Sequence, residues 1–208
     1  MSITKSEHLG SACKALANGG IIAIPTDTVY GLAADAYNPE AIEKIYAFKN
    51  RGADKHLILQ VHSTDQLFDL VDSSHLSDTS LQLLQKYWPG EITFIFKKKQ
   101  FLRLPCQSNT IGIRIPNHRL TLDVLRLYGK ALVVTSLNQS GEPPICRHLD
   151  IPQLLVRKLD YVIPWEQELS NVPSTIVDFI RRNPDSTSTR PCFLFYFINR
   201  PTSSIMIY

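Results

Sequence analysis

Short apolar runs alternate with amphipathic segments along most of the chain. Largely apolar runs of five or six residues are typical of buried strands, and they lie at 21–25, 57–61, 92–96, 111–115, 131–135 and 174–179. Apolar residues at helical spacing predict α-helices over 6–18 and after Asn38, Thr64, Ser77 and Asn117. Because strands and helices alternate, we expect an α/β layered domain with a mixed or parallel sheet.

Local start and stop signals place the ends of two helices. Ser6 can cap the first helix, and the glycine pair at 19–20 ends it. The second helix has a stronger start: Asn38 is a capping residue, Pro39 suits the first helical position, and Glu40 places an acid in the first turn.

The composition is that of a globular protein. The chain has 208 residues, of which 44% are hydrophobic and 20% are charged, which excludes wholesale disorder. The net charge of +3 is too small to argue by itself for a general nucleic-acid binder. Residues 180–208 hold four arginines and one aspartate, so the whole net charge lies there. We expect one domain over 1–180 and a basic, polar-then-apolar tail over 181–208.

The sequence also bears on location. No apolar run approaches the roughly 18–20 residues of a membrane helix, and the first residues lack the apolar centre of a signal peptide. The four cysteines lie far apart and form no CxxC pair, which argues against a zinc site and against a disulfide framework. We expect a reduced, cytoplasmic protein that contacts no membrane.

The motifs that bind phosphate through the backbone are missing. The sequence has no GxxxxGK[ST] loop and no GxGxxG after a strand, so side-chain cations would have to hold any bound phosphate. Lys49, Arg51 and Lys55 place three cations within seven residues. Such a cluster suits an anion site, but cations also favour an exposed helix C-terminus.

Small polar residues follow two predicted strands. Asp27 and Thr28 lie after the strand at 21–25, and Ser136 and Asn138 lie one strand period apart after the strand at 131–135. These positions suit a ligand, although Ser and Asn also build ordinary turns. Arg114 lies inside an apolar strand, where an arginine is either exposed or paired with an anion. Residue patterns alone therefore predict an α/β domain with an anion site built from side chains.

At these same residues the chain resembles the YrdC-type threonylcarbamoyl-adenylate synthases. The matching segments are GGIIAIPTDTVYGLAADA, the Lys49-x-Arg51 pair, HLILQV, WPGEITFIF, IGIRIPNH, TSLNQSG and PSTIVDF. They occur in family order and cover about residues 8–180. Each segment alone is weak, whereas the ordered set is specific. The resemblance implies a twisted, open, mixed β-sheet with flanking helices and a concave basic face that binds ligands.

The resemblance also implies a reaction. L-threonine, bicarbonate or CO2, and ATP would give threonylcarbamoyl-AMP and pyrophosphate, which is nucleotidyl transfer. A downstream tRNA threonylcarbamoyltransferase would then carry the group to tRNA, and the protein itself could contact tRNA. No side-chain nucleophile is required, because positioning and fixed cations stabilise the transition state, with Mg2+ accompanying the ATP.

Site residues carry over position by position. The resemblance implies that ATP is bound by Lys49, Arg51, Lys55, Thr110, Ser136, Asn138 and Arg190. It implies that threonine is bound by Thr28, Gln60, Arg114 and Ser174. Lys49 and Arg51 would act as electrostatic stabilisers, and no metal would be held by the protein alone.

The chain departs from the family pattern at several positions. Gly52 and His56 stand where the family usually has prolines, and Gln60 stands where a histidine is common. Gln60 can still form hydrogen bonds but cannot carry charge. Cys192 follows the Arg190-Pro191 pair in place of a glycine. Two other functions remain open: a non-catalytic protein that binds tRNA or rRNA, and a carbamoyl-transfer domain like that of hydrogenase-maturation proteins.

Overall fold

We describe a computed structural model of the chain. It covers residues 4–50, 57–102, 104, 108–172 and 174–180, and the backbone of 193–197 and 205–207. The α-helices are α1 (Lys5–Ala17), α2 (Pro39–Lys49), α3 (Thr64–Leu70), α4 (Asp78–Tyr87), α5 (Arg119–Tyr128) and α6 (Gln153–Val156). Two short 3-10 helices cover Ser73–His75 and His148–Asp150.

The first helix begins before the predicted cap. Thr4, not Ser6, is the N-cap, and its hydroxyl accepts a hydrogen bond from the backbone N–H of Glu7. The Glu7 carboxylate in turn accepts from the Thr4 backbone N–H at 2.6 Å. This reciprocal capping box satisfies two backbone donors at once, which explains why the helix begins at Lys5.

Side-chain caps start the other long helices. Asn38 and Ser77 cap α2 and α4 as predicted. The caps of α3 and α5 lie one residue from the predicted start, at Ser63 and at His118. His118 is an unusual cap, since its ring nitrogen Nδ1 accepts the Thr121 backbone N–H. A histidine is not among the preferred capping residues, which is why the pattern favoured Asn117 instead.

Ten strands form one mixed sheet in the described part of the chain. They are β1 (Ile22–Pro25), β2 (Tyr30–Asp35), β3 (Ile58–Gln60), β4 (Ile92–Lys97), β5 (Thr110–Arg114), β6 (Leu132–Ser136), β7 (Tyr161–Val162), β8 (Thr175–Asp178), β9 (Phe193–Phe197) and β10 (Ile205–Ile207). Their order across the sheet is β10-β9-β8-β4-β5-β3-β6-β2-β1-β7. Parallel pairs such as β3 with β5 and antiparallel pairs such as β2 with β6 occur side by side, which confirms the mixed α/β fold.

The tail contributes backbone to this sheet. Strand β9 pairs antiparallel with β8, and β10 pairs antiparallel with β9. The sheet thus continues past residue 180, and the domain boundary at 180/181 stays a prediction. Within the described residues no helix is long and apolar enough to cross a membrane.

Helices α1 and α5 cover only part of one sheet face. Their apolar residues pack with strand residues such as Ile22, Ile24, Ala33 and Val134, all from β1, β2 and β6. On the neighbouring strands the same face carries Gly112 and the half-buried side chains of Ile58, Ile95 and Ile176. Among the described residues, α1 and α5 do not cover this part of the face, which is formed by β3, β5, β4 and β8 and is called the open face below. The opposite face packs against the larger core cluster.

Candidate active site

The Lys49 amine lies at one end of the candidate site. Helix α2 ends at Lys49, which is buried, and the left-handed Asn50 caps the helix. Lys49 Nζ lies 2.7 Å from the Ser136 carbonyl oxygen and 3.0 Å from that of Asn138. It also lies 2.8 Å from Asn138 Oδ1 and 3.3 Å from Ser136 Oγ. An ammonium group has three N–H donors, so these four acceptors use its full capacity.

The loop after β6 is held together by further hydrogen bonds. Ser136 Oγ donates to Asn138 Oδ1 at 2.6 Å, and Asn138 Nδ2 donates to the Glu142 carbonyl at 2.5 Å. The Ser140 backbone N–H donates to the Lys49 carbonyl at 3.2 Å. The structure therefore brings together three residues predicted to bind ATP, and it orients Ser136 and Asn138 through Lys49.

Arg114 lies near the other end of the open face. Its neighbours Ile113 and Ile115 pack into the larger core cluster, so its own side chain lies on the opposite side of the sheet. Arg114 Nη2 forms an ion pair with Asp27 Oδ1, and Nε donates to the Gly90 carbonyl at 2.8 Å. Of the two alternatives left by the sequence, exposure or pairing, the structure has the buried pair.

Thr28 lies beside this ion pair. Arg114 Nη1 lies 3.4 Å from Thr28 Oγ1, and the Thr28 hydroxyl is 2.9 Å from that of Thr26. The Thr26 hydroxyl also accepts the backbone N–H groups of Thr28 and Val29, which fixes the turn between β1 and β2. The turn thus holds Thr28 against Arg114, and both residues were predicted to bind threonine.

Gln60 and Ser174 are the remaining predicted threonine ligands. Gln60 pairs with Arg114 in the parallel register of β3 and β5, so the two side chains share the open face. Gln60 Oε1 is buried and has no hydrogen-bond partner among the described residues. An orphaned buried acceptor is costly, and a donor on a bound ligand would satisfy it. Ser174 lies immediately before β8, where its hydroxyl is 3.5 Å from that of the buried Thr93.

The strand register relates the two ends of the site. Gly112 pairs with Ile58, and Ile58 pairs with Val134. Thr110 lies two residues before Gly112, and Ser136 lies two residues after Val134. Because β6 runs antiparallel to β3 and β5, Thr110 and Ser136 lie at the same level of the sheet. Thr110 Oγ1 is 3.0 Å from Ser108 Oγ. Arg114 lies four residues from Thr110 along β5, a distance of roughly 13 Å. The predicted nucleotide residues and the predicted amino-acid residues therefore occupy separate levels of one face.

Three residues that were predicted to bind ATP lie outside the described residues, namely Arg51, Lys55 and Arg190. Their role stays a prediction from the resemblance.

Residue patterns missed several groups that shape the site. Asp27 was noted only as a small polar residue, although it is the partner of Arg114. Thr93 is fully buried beside Ser174. His118 lies against the Trp165 ring at 4.5 Å, and its Nε2 has no hydrogen-bond partner among the described residues. Burial lowers the pKa of His118, and the nearby Asp27 carboxylate opposes that shift.

The described residues contain no group of three or more His, Cys, Asp or Glu side chains that could hold a metal ion. A magnesium ion usually takes one or two protein carboxylates together with substrate phosphates.

An open, mixed sheet with one polar, half-covered face is the architecture of a known family. Residues 14–190 match the family model Sua5/YciO/YrdC, described as "Telomere recombination". The chain belongs to this family. A threonylcarbamoyl-AMP synthase from Vibrio campbellii is 34% identical over 167 residues, which are 79% of this chain and 90% of that relative.

Solved structures agree with this assignment. A doubly substituted P. abyssi Sua5 superimposes with a TM-score of 0.79 at 26% identity, and P. abyssi Sua5 complexed with L-threonine gives 0.77 at 27%. Each match covers 86% of this chain but only 55% and 52% of those proteins, so the chain spans about half their length. E. coli YciO, at 22% identity and a TM-score of 0.75, covers 91% of both chains and shows the shared fold.

Proposed function

We propose that the protein is an L-threonylcarbamoyladenylate synthase, a nucleotidyltransferase that uses L-threonine, bicarbonate or CO2, and ATP. One observation carries the proposal: a guanidinium group and a hydroxyl-rich loop occupy two levels of the same sheet face. Arg114 suits a carboxylate, and the loop at Ser136 and Asn138 suits a nucleotide. The name of the Vibrio campbellii relative and the threonine complex of P. abyssi Sua5 support the same reaction.

The amino-acid end would position the first step. Arg114 would hold the threonine carboxylate with its remaining N–H donors, and Thr28, Gln60 and Ser174 would surround the rest of the molecule. The threonine ammonium group first loses one proton to solvent. The amine nitrogen then forms a bond to the carbon of CO2, one C–O π bond opens, and the nitrogen loses a second proton to solvent, which leaves a carbamate. The unpartnered Oε1 of Gln60 is available to a substrate N–H or O–H at this end.

The nucleotide end would position the second step. A carbamate oxygen forms a bond to the α-phosphorus of ATP, and the bond from that phosphorus to the β-phosphate bridge breaks, so pyrophosphate leaves. Ser136, Asn138 and Thr110 would contact the nucleotide, and Lys49 would keep the first two in place. Mg2+ bound to the phosphates would neutralise part of their charge. Arg51, Lys55 and Arg190 would supply the cations that contact the phosphates.

The product would feed tRNA modification. Threonylcarbamoyl-AMP is an activated mixed anhydride, so a downstream transferase that passes the group to tRNA would consume it. A non-catalytic RNA-binding role is not favoured, because the curated relative that covers most of this chain is named as a synthase. A hydrogenase-maturation role draws no support from that relative either.

Pyrophosphate release tests the proposal directly. We expect release from the full chain only when ATP, bicarbonate and L-threonine are all present, together with threonylcarbamoyl-AMP detected by mass spectrometry. Release that persists without threonine would refute it.

Replacing the predicted phosphate ligand Arg51 by alanine extends this test. Loss of a charge-assisted contact should lower the rate at least about tenfold. Arg126→Ala is the matched control, since Arg126 is an exposed residue of α5 that pairs only with Asp123 among the described residues. If folded Arg51→Ala protein kept the normal rate, the predicted role of Arg51 would be wrong.

A further inference from the structure

Asp27 is a part-buried carboxylate at the amino-acid end of the site. Its side chain is 11% exposed and that of Arg114 is 5% exposed. Oδ1 accepts from Arg114 Nη2, and Oδ2 accepts from the Asn117 backbone N–H at 3.1 Å. Each carboxylate oxygen can accept two hydrogen bonds, so both oxygens of Asp27 retain capacity for another donor.

The donors of Arg114 divide between the protein and a ligand. A guanidinium group has five N–H donors, and the described contacts use three of them, to Gly90, Thr28 and Asp27. Two donors remain, which is the number that one bidentate carboxylate needs. Asp27 therefore neutralises the charge of Arg114 without using up its hydrogen-bonding capacity.

This neutral pair has a consequence for ligand choice. A ligand with only a carboxylate would bring one uncompensated negative charge beside Asp27 in a buried site, which is unfavourable. A zwitterion brings a carboxylate for Arg114 and an ammonium group for Asp27. Resting on the proposed function, we propose that Asp27 is a specificity residue that accepts the substrate ammonium group and so selects zwitterionic amino acids over 2-hydroxy acids.

Calorimetric binding without ATP tests this proposal separately from catalysis. The two probes are L-threonine and its 2-hydroxy acid analogue, in which a hydroxyl replaces the ammonium group. Wild-type protein should bind threonine at least about tenfold more tightly, because a charge-assisted hydrogen bond is lost with the analogue. Equal affinities would overturn the proposal. Failure of threonine to bind the wild type at all would instead count against the proposed function.

The variant Asp27→Asn keeps the shape of the side chain and removes its charge. We expect threonine to bind at least about tenfold more weakly while the analogue binds as well as before or better, so the preference collapses. If Asp27 only braces Arg114, both ligands will weaken equally and the preference will persist, which refutes ammonium recognition.

Two further variants secure the interpretation. If Asp27→Asn does not fold, Asp27→Ser removes the charge while its hydroxyl can still accept a hydrogen bond from Arg114. The preference should collapse in this variant as well, and a persisting preference would refute the proposal. Asp35→Asn is the matched control, since Asp35 is another buried carboxylate paired with a cation, Lys130, at the end of β2. Its threonine preference should equal that of the wild type.

Discussion

Replacing Lys49 by methionine should destabilise the protein and disorganise the loop after β6. Methionine has a similar length and an apolar end, so the change removes the N–H donors while it keeps most of the volume. In the structure these donors serve the carbonyl oxygens of Ser136 and Asn138 and the side-chain oxygen of Asn138. Lys49 and Asn138 are buried and Ser136 is half-buried, so water cannot freely replace the amine.

The magnitude follows from the acceptors left behind. Asn138 Oδ1 would keep the hydrogen bond from Ser136 Oγ, and the Ser136 carbonyl would keep the one from the Asn138 backbone N–H at 3.0 Å. The Asn138 carbonyl would lose its described donor, Lys49 Nζ. An unsatisfied buried polar group costs about 1–3 kcal/mol. Part of this loss is offset because the ammonium group no longer has to be desolvated. We expect a decrease of about 1.5–3 kcal/mol in the free energy of unfolding, or a melting temperature lower by about 3–12 °C.

Calorimetric unfolding, with ATP binding measured in parallel, checks this prediction. Lys44→Met is the control, because Lys44 lies on the same helix and its amine donates to one described acceptor, the Gly19 carbonyl, at 2.7 Å. Lys44 is exposed and its hydrogen bond is only part-buried, so water can replace the amine, and the bond should contribute about 1 kcal/mol. If Lys49→Met lost no more stability than Lys44→Met, the tethering role of Lys49 would be refuted.

Three other changes probe the frame of the site. Burial lowers the pKa of His118 in the folded protein, so on acidification the unfolded chain takes up this proton at a higher pH than the folded protein does. The free energy of unfolding should therefore decrease as the pH drops below about 6.5. In urea unfolding, His118→Asn, which keeps a capping side chain, should show a weaker dependence of this free energy on pH. In Gly31→Ala the added Cβ would lie 2.6 Å from Val134 Cγ1, and this clash should lower the free energy of unfolding by about 1–3 kcal/mol. Adding Val134→Ala should remove most of the loss that the clash causes. If the effects of the two substitutions were fully additive, the clash would be contradicted. Thr4→Ala removes the capping box of α1 and should lower the free energy of unfolding by about 1 kcal/mol, which thermal unfolding measures. An unchanged free energy would show that the cap does not form in solution.

Several parts of the fold could be predicted from the sequence because they depend on neighbours in the chain. The start of α2 is one, since the Asn38 side chain accepts the backbone N–H of Ala41 only three residues away. The apolar strands are another, because uninterrupted apolar runs cannot be left in water. Local residue patterns did not predict strand β2, Tyr30–Asp35. Glycine and alanine are poor strand formers, and this segment becomes a strand because β1 and β6 flank it and every residue in it is buried.

The site itself divides in the same way. The sequence by itself determined which residue types could serve a carboxylate and a phosphate, and the family order of the motifs pointed to Thr28, Arg114, Ser136 and Asn138. Only the tertiary structure decided their partners. Arg114 and Asp27 are 87 residues apart in the chain, and Lys49 lies 89 residues from Asn138. A side chain's partner at such separations is set by the order and register of the strands, which depend on packing across the whole sheet, whereas a cap or a turn is set by hydrogen bonds within three or four residues.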